Sequence, residues 1–164
     1  MKLDSLRKLL AHELQDLYSA EQQLVEALPE MEKAANDPDL KQAFRDHLEQ
    51  TRAHMDRLDH AFGALEISPK GEVCRGMQGL IEEGSKMLEK DGDPSVRDAG
   101  IISAAQRIEH YEIAGYGSAR TFAEKLGETG VADVLQQTLN EEGSADQRLT
   151  RLAERKINAE AVTA

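Results

Sequence analysis

Residues 10–31 read LAHELQDLYSAEQQLVEALPEM, and this stretch decides the fold. Its apolar residues recur every three or four positions, a spacing that puts side chains on one face of an α-helix. Glu21 falls on this apolar stripe, in step with its leucines. The stripe consists of Leu10, Leu14, Leu17, Glu21, Leu24, Leu28 and Met31. The face that should be buried therefore carries a carboxylate, which is costly unless it is neutralised or paired.

Two later segments repeat this pattern, with Glu112 and Glu142 in the place of an apolar residue. The second stripe is Ile101, Ala105, Ile108, Glu112, Gly115, Ala119 and Phe122, and the third is Leu135, Leu139, Glu142, Leu149 and Leu152. Because buried carboxylates need a counter-charge, three of them converging in one core predict a bound cation.

The breaks between the periodic stretches predict five helices in one domain, residues 1–160. Their expected ranges are about 5–35, 38–65, 73–90, 94–126 and 131–156. Short turns join the first helix to the second and the last two to each other, so each pair should form an antiparallel hairpin. The helix at 73–90 lies in the long crossover between the hairpins.

A weak internal repeat at an offset of 91 residues supports two-fold symmetry, since it carries Glu21 onto Glu112 and Thr51 onto Glu142. The sequence therefore predicts an all-α, ferritin-like four-helix bundle of two antiparallel helical hairpins, with an extra short helix in the crossover.

Ferritin-like di-metal bundles carry one Glu on each of two helices and a Glu-x-x-His pair on each of the others. Glu21 and Glu112 match the single positions, whereas Thr51 stands where the first pair needs Glu, and Ala145 where the second needs His. The predicted metal ligands are Glu21, His54, Glu112, Glu142 and Asp146, with Gln50 and His47 as weaker members. Carboxylates with imidazole suit a divalent metal, with iron or manganese expected.

Other interpretations of these residues stay open. A single Glu on an apolar stripe often lies at its edge and reaches water, and a buried His is often bonded to a neighbour. Tyr18 or Tyr111 could hydrogen-bond a ligand carboxylate. Cys74 is interpreted as a small packing residue.

Composition excludes several classes of function. The formal net charge of −11 argues against nucleic acid and anionic membranes as partners. The single Cys74 excludes an intrachain disulfide framework. There is no signal-peptide pattern and no apolar run of membrane-span length, so the expected location is cytoplasmic.

Several motifs resemble the YciF-type, ferritin-like family of bacterial stress-induced proteins. They are DLYSAEQQL (16–24), EALP (26–29), HLEQT (47–51), GMQGLIEEG (76–84), AAQRIEHYEIAGYG (104–117) and LNEE (139–142). The resemblance implies a bundle that forms a homodimer, is linked to stress responses and has a metal site. That family often has Glu at position 50, where this chain has Gln50, so one possible ligand charge is missing.

Three functions compete. The first is a metal-binding bundle, redox-active toward peroxide or oxygen under stress. The second is a non-catalytic stress or scaffold protein with a degraded metal site, which the incomplete Glu-x-x-His pairs favour. The third is iron storage in a cage, for which no cage-forming contacts are evident. Whether the chain is an enzyme is left open by its sequence.

Overall fold

The computed structural model describes residues 4–164, which contain no β-strand. The helices are α1 (Leu6–Ala34), α2 (Pro38–Leu65), α3 (Arg75–Leu88), α4 (Pro94–Lys125), α5 (Thr129–Leu152) and α6 (Asn158–Val162). The predicted all-α bundle of two antiparallel hairpins with an extra crossover helix is confirmed. The predicted domain starts at residue 1, and residues 1–3 lie outside the described part of the chain. No helix within 4–164 has the length and apolar character that a membrane crossing requires.

Side-chain caps set the starts of α1, α2 and α4. Asp37 caps α2 by accepting hydrogen bonds from the backbone N–H groups of Asp39 (2.8 Å) and Leu40 (3.0 Å). Asp93 caps α4 in the same way, and Ser5 caps α1. Pro38 and Pro94 occupy the first helical positions, where the missing N–H costs nothing. These boundaries agree with the predicted ones to within a residue because caps and prolines act locally.

The four long helices form a ring in which α1 packs on α2, α2 on α5, α5 on α4 and α4 on α1. The crossover helix α3 covers the side of the bundle formed by α1 and α4. Close approach of α1 and α4 requires Gly115, since a Cβ there would lie 2.8 Å from Cδ2 of Leu17. Helix α4 therefore contacts neighbours on three sides.

The apolar core is divided into two halves along the bundle axis. One half contains Leu24, Leu28, Phe44, Ile101, Ile108 and Leu149, and the other contains Leu14, Leu17, Leu58, Tyr116, Ala119 and Leu135. Glu21, Glu112 and Glu142 each lie along their helices between residues of the two halves, and all three are fully buried. The polar layer predicted from the interrupted stripes is therefore in the middle of the bundle.

The C-terminal end differs from the prediction of one helix to residue 156 followed by a frayed tail. Helix α5 ends at Leu152, a π-helical turn spans Ala153–Ile157, and α6 continues to Val162. Ile157 is only 1% exposed and packs in the core. Lys156 Nζ lies 2.5 Å from Asp37 Oδ2. This burial and ion pair connect the end of the chain to the start of α2.

Candidate metal centre

Four predicted ligands meet in the polar layer, one from each long helix. They are Glu21 on α1, His54 on α2, Glu112 on α4 and Glu142 on α5, and none has any exposed surface. Each lies on the inward stripe of its helix, so the helical period alone brings the four side chains together.

His54 contacts three carboxylates. Its Nδ1 lies 2.9 Å from Glu142 Oε1 and 3.2 Å from Glu21 Oε1. Its Nε2 lies 2.9 Å from Glu141 Oε2. Arg57 holds Glu141 with two hydrogen bonds of 2.7 and 2.9 Å. The imidazole is thus oriented from outside by a carboxylate and an arginine, an arrangement typical of histidines that bind metals.

Glu142 also belongs to a second cluster, on the other side of its carboxylate. His47 Nε2 lies 3.3 Å from Glu109 Oε1 and 3.7 Å from Glu142 Oε2. We call Glu21, His54 and Glu142 the inner group, and His47, Glu109, Glu112 and Glu142 the outer group. In each group one potential ligand atom per residue lies within 4.8 Å of the others.

The remaining predicted ligands belong to neither group. Asp146 Oδ1 accepts a hydrogen bond from Gln106 Nε2 (3.0 Å) and lies 3.3 Å from His110 Nε2, so its carboxylate is occupied at the α4–α5 surface. Gln50 Oε1 faces His47 Nδ1 at 3.5 Å, behind the ring rather than at the centre of the group.

The sequence prediction underestimated two members of the outer group as ligands. Glu109 was not predicted as a ligand and His47 only as a weaker one, yet both are at least 95% buried. The signal for Glu109 is its spacing of three residues from Glu112, which puts both carboxylates on one side of α4. The Glu-x-x-His pattern predicts paired ligands on α2 and α5, whereas the paired carboxylates are on α4.

The tyrosine that supports the cluster is Tyr116, which is fully buried and donates a hydrogen bond to Glu21 Oε1. Tyr111 instead bonds Asp16 Oδ2 at 2.7 Å, and Tyr18 contacts Asp59. Cys74 is buried as expected, but its Sγ also lies 3.0 Å from the Tyr111 hydroxyl and caps α3.

Burial and mutual repulsion shift the pKa values of the cluster. Burial, followed by the charges of neighbouring carboxylates, raises the pKa of Glu112 and of Glu109 well above the ordinary range. Burial lowers the pKa of His54, but the carboxylates of Glu142 and Glu21 outweigh it and raise that pKa to about 10. For Glu142 burial is likewise outweighed, chiefly by His54, and its pKa is lowered. Without a metal, protons therefore supply the counter-charge.

The cluster contains many buried polar atoms that lack a hydrogen-bond partner within residues 4–164. They are both carboxylate oxygens of Glu112 and of Glu142, one oxygen each of Glu21 and Glu109, Nδ1 of His54 and Nε2 of His47. His54 Nδ1 is close to two oxygens, but it is not aligned with either as a hydrogen-bond donor.

These orphaned atoms fit a divalent cation. Two ligand atoms about 2.1 Å from one ion and about 90° apart are about 3 Å from each other, as His54 Nδ1 is from its two oxygen neighbours. If His54 donates its Nε2 hydrogen to Glu141, the Nδ1 lone pair is available to a metal. Both groups could therefore hold a metal ion, and they share Glu142.

Comparison with known proteins identifies relatives along nearly the whole chain. Residues 5–162 match the model of a family described as a domain of unknown function, DUF892. Protein YciF of Escherichia coli strain K12 is 41% identical over 162 residues, which is 98% of each chain.

Solved structures agree with this match. The crystal structure of the E. coli stress protein YciF has a TM-score of 0.91 at 41% identity, over 94% of this chain and 98% of that one. YcfI from Rhodopseudomonas palustris has a TM-score of 0.88 at 40% identity, over 91% and 95%. A Xanthomonas campestris protein, 21% identical with a TM-score of 0.74, shares the fold. The chain therefore belongs to the DUF892 family and is a relative of YciF.

Proposed function

We propose that this protein binds divalent metal in its polar layer, with iron or manganese as the expected metal. The observation that carries the proposal is the environment of His54, whose Nδ1 faces two carboxylate oxygens at 2.9 and 3.2 Å without a hydrogen bond to either. Its other nitrogen is fixed by Glu141. A histidine that serves only packing does not need this orientation.

In the proposal each residue has a defined task. Glu21 and His54 bind from the inner side, His47 and Glu109 from the outer side, and Glu142 bridges the two groups. Glu112, whose two oxygens are both unpaired, completes the outer group. Arg57 fixes Glu141, and Tyr116 fixes Glu21. Iron or manganese bound there would supply one-electron redox chemistry, and the apolar halves of the core flank the polar layer on both sides.

The proposed activity is redox chemistry toward peroxide or oxygen during stress. It is supported by the ligand types, which suit redox-active metals, and by the relation to E. coli YciF, which is described as a stress protein. The sequence-based expectations of a homodimer and of a cytoplasmic location are part of the same proposal.

A second candidate is a non-catalytic stress or scaffold protein without metal. It is favoured by the charge balance of the cluster, because protonation of His54, Glu109 and Glu112 removes most of the negative charge of the layer without any ion. In this case the cluster would be a structural hydrogen-bonding layer.

Metal analysis of protein purified from its native host distinguishes the two candidates. One or two equivalents of iron or manganese per chain, with a thermal midpoint raised when the metal-free protein is reloaded, support the metal-binding function. Turnover of peroxide by the loaded protein supports the redox activity. If the protein is purified without metal and its thermal midpoint does not respond to iron, manganese or zinc, metal binding and redox activity are both contradicted. The scaffold function then remains.

A further inference from the structure

A cavity of about 240 Å³ lies between α2 and α5 and opens beside the outer group. Its lining residues include His47 and Glu109, which are buried, and Asp46, Ser144 and Arg151, which are exposed. The cavity thus extends from the surface to two members of the cluster. One water needs about 30 Å³ of liquid volume, so there is room for several small molecules.

Two residues that line this cavity each carry a buried polar atom that is unsatisfied. His47 Nε2 and Glu109 Oε2 have no hydrogen-bond partner in residues 4–164. The inner group does not line the cavity, and its three residues have no exposed surface. His47 and Glu109 of the outer group therefore line this cavity, whereas no residue of the inner group does.

A small residue of α5 lines this cavity and leaves room for its opening. Ala145 lies three residues after Glu142, where a Glu-x-x-His pair would have a histidine, and it lines the cavity together with Ser144. A larger side chain at 145 would extend into this space. Ala145, which stands in the sequence where a histidine ligand is expected, therefore lines an opening in the structure.

The rim is cationic, although the chain as a whole has a net charge of −11. Arg148 and Arg151 line the cavity, and Asp46 is neutralised by Arg148 at 2.6 Å. Within the described residues Arg151 forms no ion pair, so its charge remains available. An anion is favoured at such a rim over a cation.

We propose that this cavity admits a small anionic ligand, which reaches the metal through the open side formed by His47 and Glu109, while the inner group stays closed. The inference rests on the proposed metal-binding function. It assigns Ala145 the role of keeping the path open and Arg151 the role of attracting the anion.

The test uses azide as the probe and the full chain loaded with Co²⁺, whose visible absorption reports changes in its ligands. Azide should change the spectrum of the wild type saturably. In Ala145→Leu the Co²⁺ stoichiometry should be unchanged, but the apparent affinity for azide should fall at least about tenfold. The matched control is Gln147→Leu, an exposed position on the same helix outside the cavity, which should behave like the wild type.

The possible outcomes separate the two proposals. If the wild type binds no Co²⁺, the metal-binding function fails and this inference fails with it. If Co²⁺ binds but azide leaves the wild-type spectrum unchanged, or changes Ala145→Leu as readily as the wild type, only the cavity proposal is overturned. Ala145→Val, a smaller change with an intermediate expected effect, replaces Ala145→Leu if that variant does not fold.

Discussion

Glu142 Oε1 lies 2.9 Å from His54 Nδ1, yet these two fully buried atoms do not have the geometry of a hydrogen bond. Attraction between the charged groups holds them together in the metal-free protein, since the pKa of His54 is raised to about 10. The contact joins α2 of the first hairpin to α5 of the second. A metal ion and a proton therefore compete for the same place between the hairpins.

Glu112→Gln is expected to weaken metal binding and to stabilise the metal-free protein. The pKa of Glu112 is raised well above its ordinary value by burial and by Glu21. Its carboxyl is ionised in the unfolded chain at pH 7 and must take up a proton on folding, which costs stability. Glutamine removes this cost, and a gain of about 1 kcal/mol would raise the thermal midpoint by about 2–4 °C.

Calorimetry of metal-free wild type, Glu112→Gln and the exposed control Glu83→Gln tests this expectation. The control should match the wild type both with and without metal. A loss of more than about 2 kcal/mol in metal-free Glu112→Gln would identify Glu112 as a structural hydrogen-bonding residue and contradict its role as a ligand.

Ile108→Ala is expected to destabilise the protein by about 2–5 kcal/mol whether or not metal is present. Ile108 is 3% exposed and packs in one apolar half of the core, one turn from Glu112. Its removal leaves a cavity but no unpaired charge. Urea unfolding with and without added Mn²⁺ should give the same difference from the wild type. A destabilisation that appears only with metal would mean that Ile108 supports the site rather than the core.

The sequence predicted the elements whose signals are local. Asp37 and Pro38 mark the start of α2 directly, and Glu21, Glu112 and Glu142 interrupt otherwise apolar stripes. Glu109 carries no such mark because it lies beside the stripe of α4. It is buried because α4 has neighbours on three sides, so residues off its main stripe also face other helices.

The end of the chain was also difficult to predict from local patterns. The π-helical turn at 153–157 departs from the 3.6-residue period of an α-helix, on which the predicted helix depends. The burial of Ile157 and the contact of Lys156 with Asp37 depend on which helices lie nearby. Asp146 is the opposite case: its spacing predicts a ligand, but its carboxylate accepts a hydrogen bond from Gln106 and belongs to neither group.

Acid is expected to remove the contribution of Asp37 to stability. Burial raises the pKa of this carboxyl, but Lys156 and the backbone N–H groups at the start of α2 outweigh it, so the folded-state pKa lies below the ordinary 3.8. A carboxyl with a lowered pKa stabilises the fold fully above its unfolded pKa and loses this effect as the pH falls through its folded pKa. Asp37→Asn keeps a capping oxygen but loses the charge. Urea unfolding should show wild type more stable than Asp37→Asn at pH 7, with the gap closing below about pH 3.8. A gap that stays constant with pH would show that the charge of Asp37 contributes nothing.

Arg57→Met is expected to lower metal affinity about 10–100-fold while leaving the ligands in place. Arg57 touches neither group, but its two hydrogen bonds hold Glu141, and Glu141 in turn holds His54 Nε2 at 2.9 Å. Without Arg57, Glu141 is no longer held in place and fixes the imidazole less firmly, so His54 Nδ1 is less well oriented toward Glu21 and Glu142. The control is Arg52→Met on the same helix, because Arg52 pairs only with Glu49 at the surface within the described residues. Competition of each variant with a chelator for Mn²⁺ gives the affinities, and equal values for Arg57→Met and Arg52→Met would contradict the proposed orientation of His54 by Glu141.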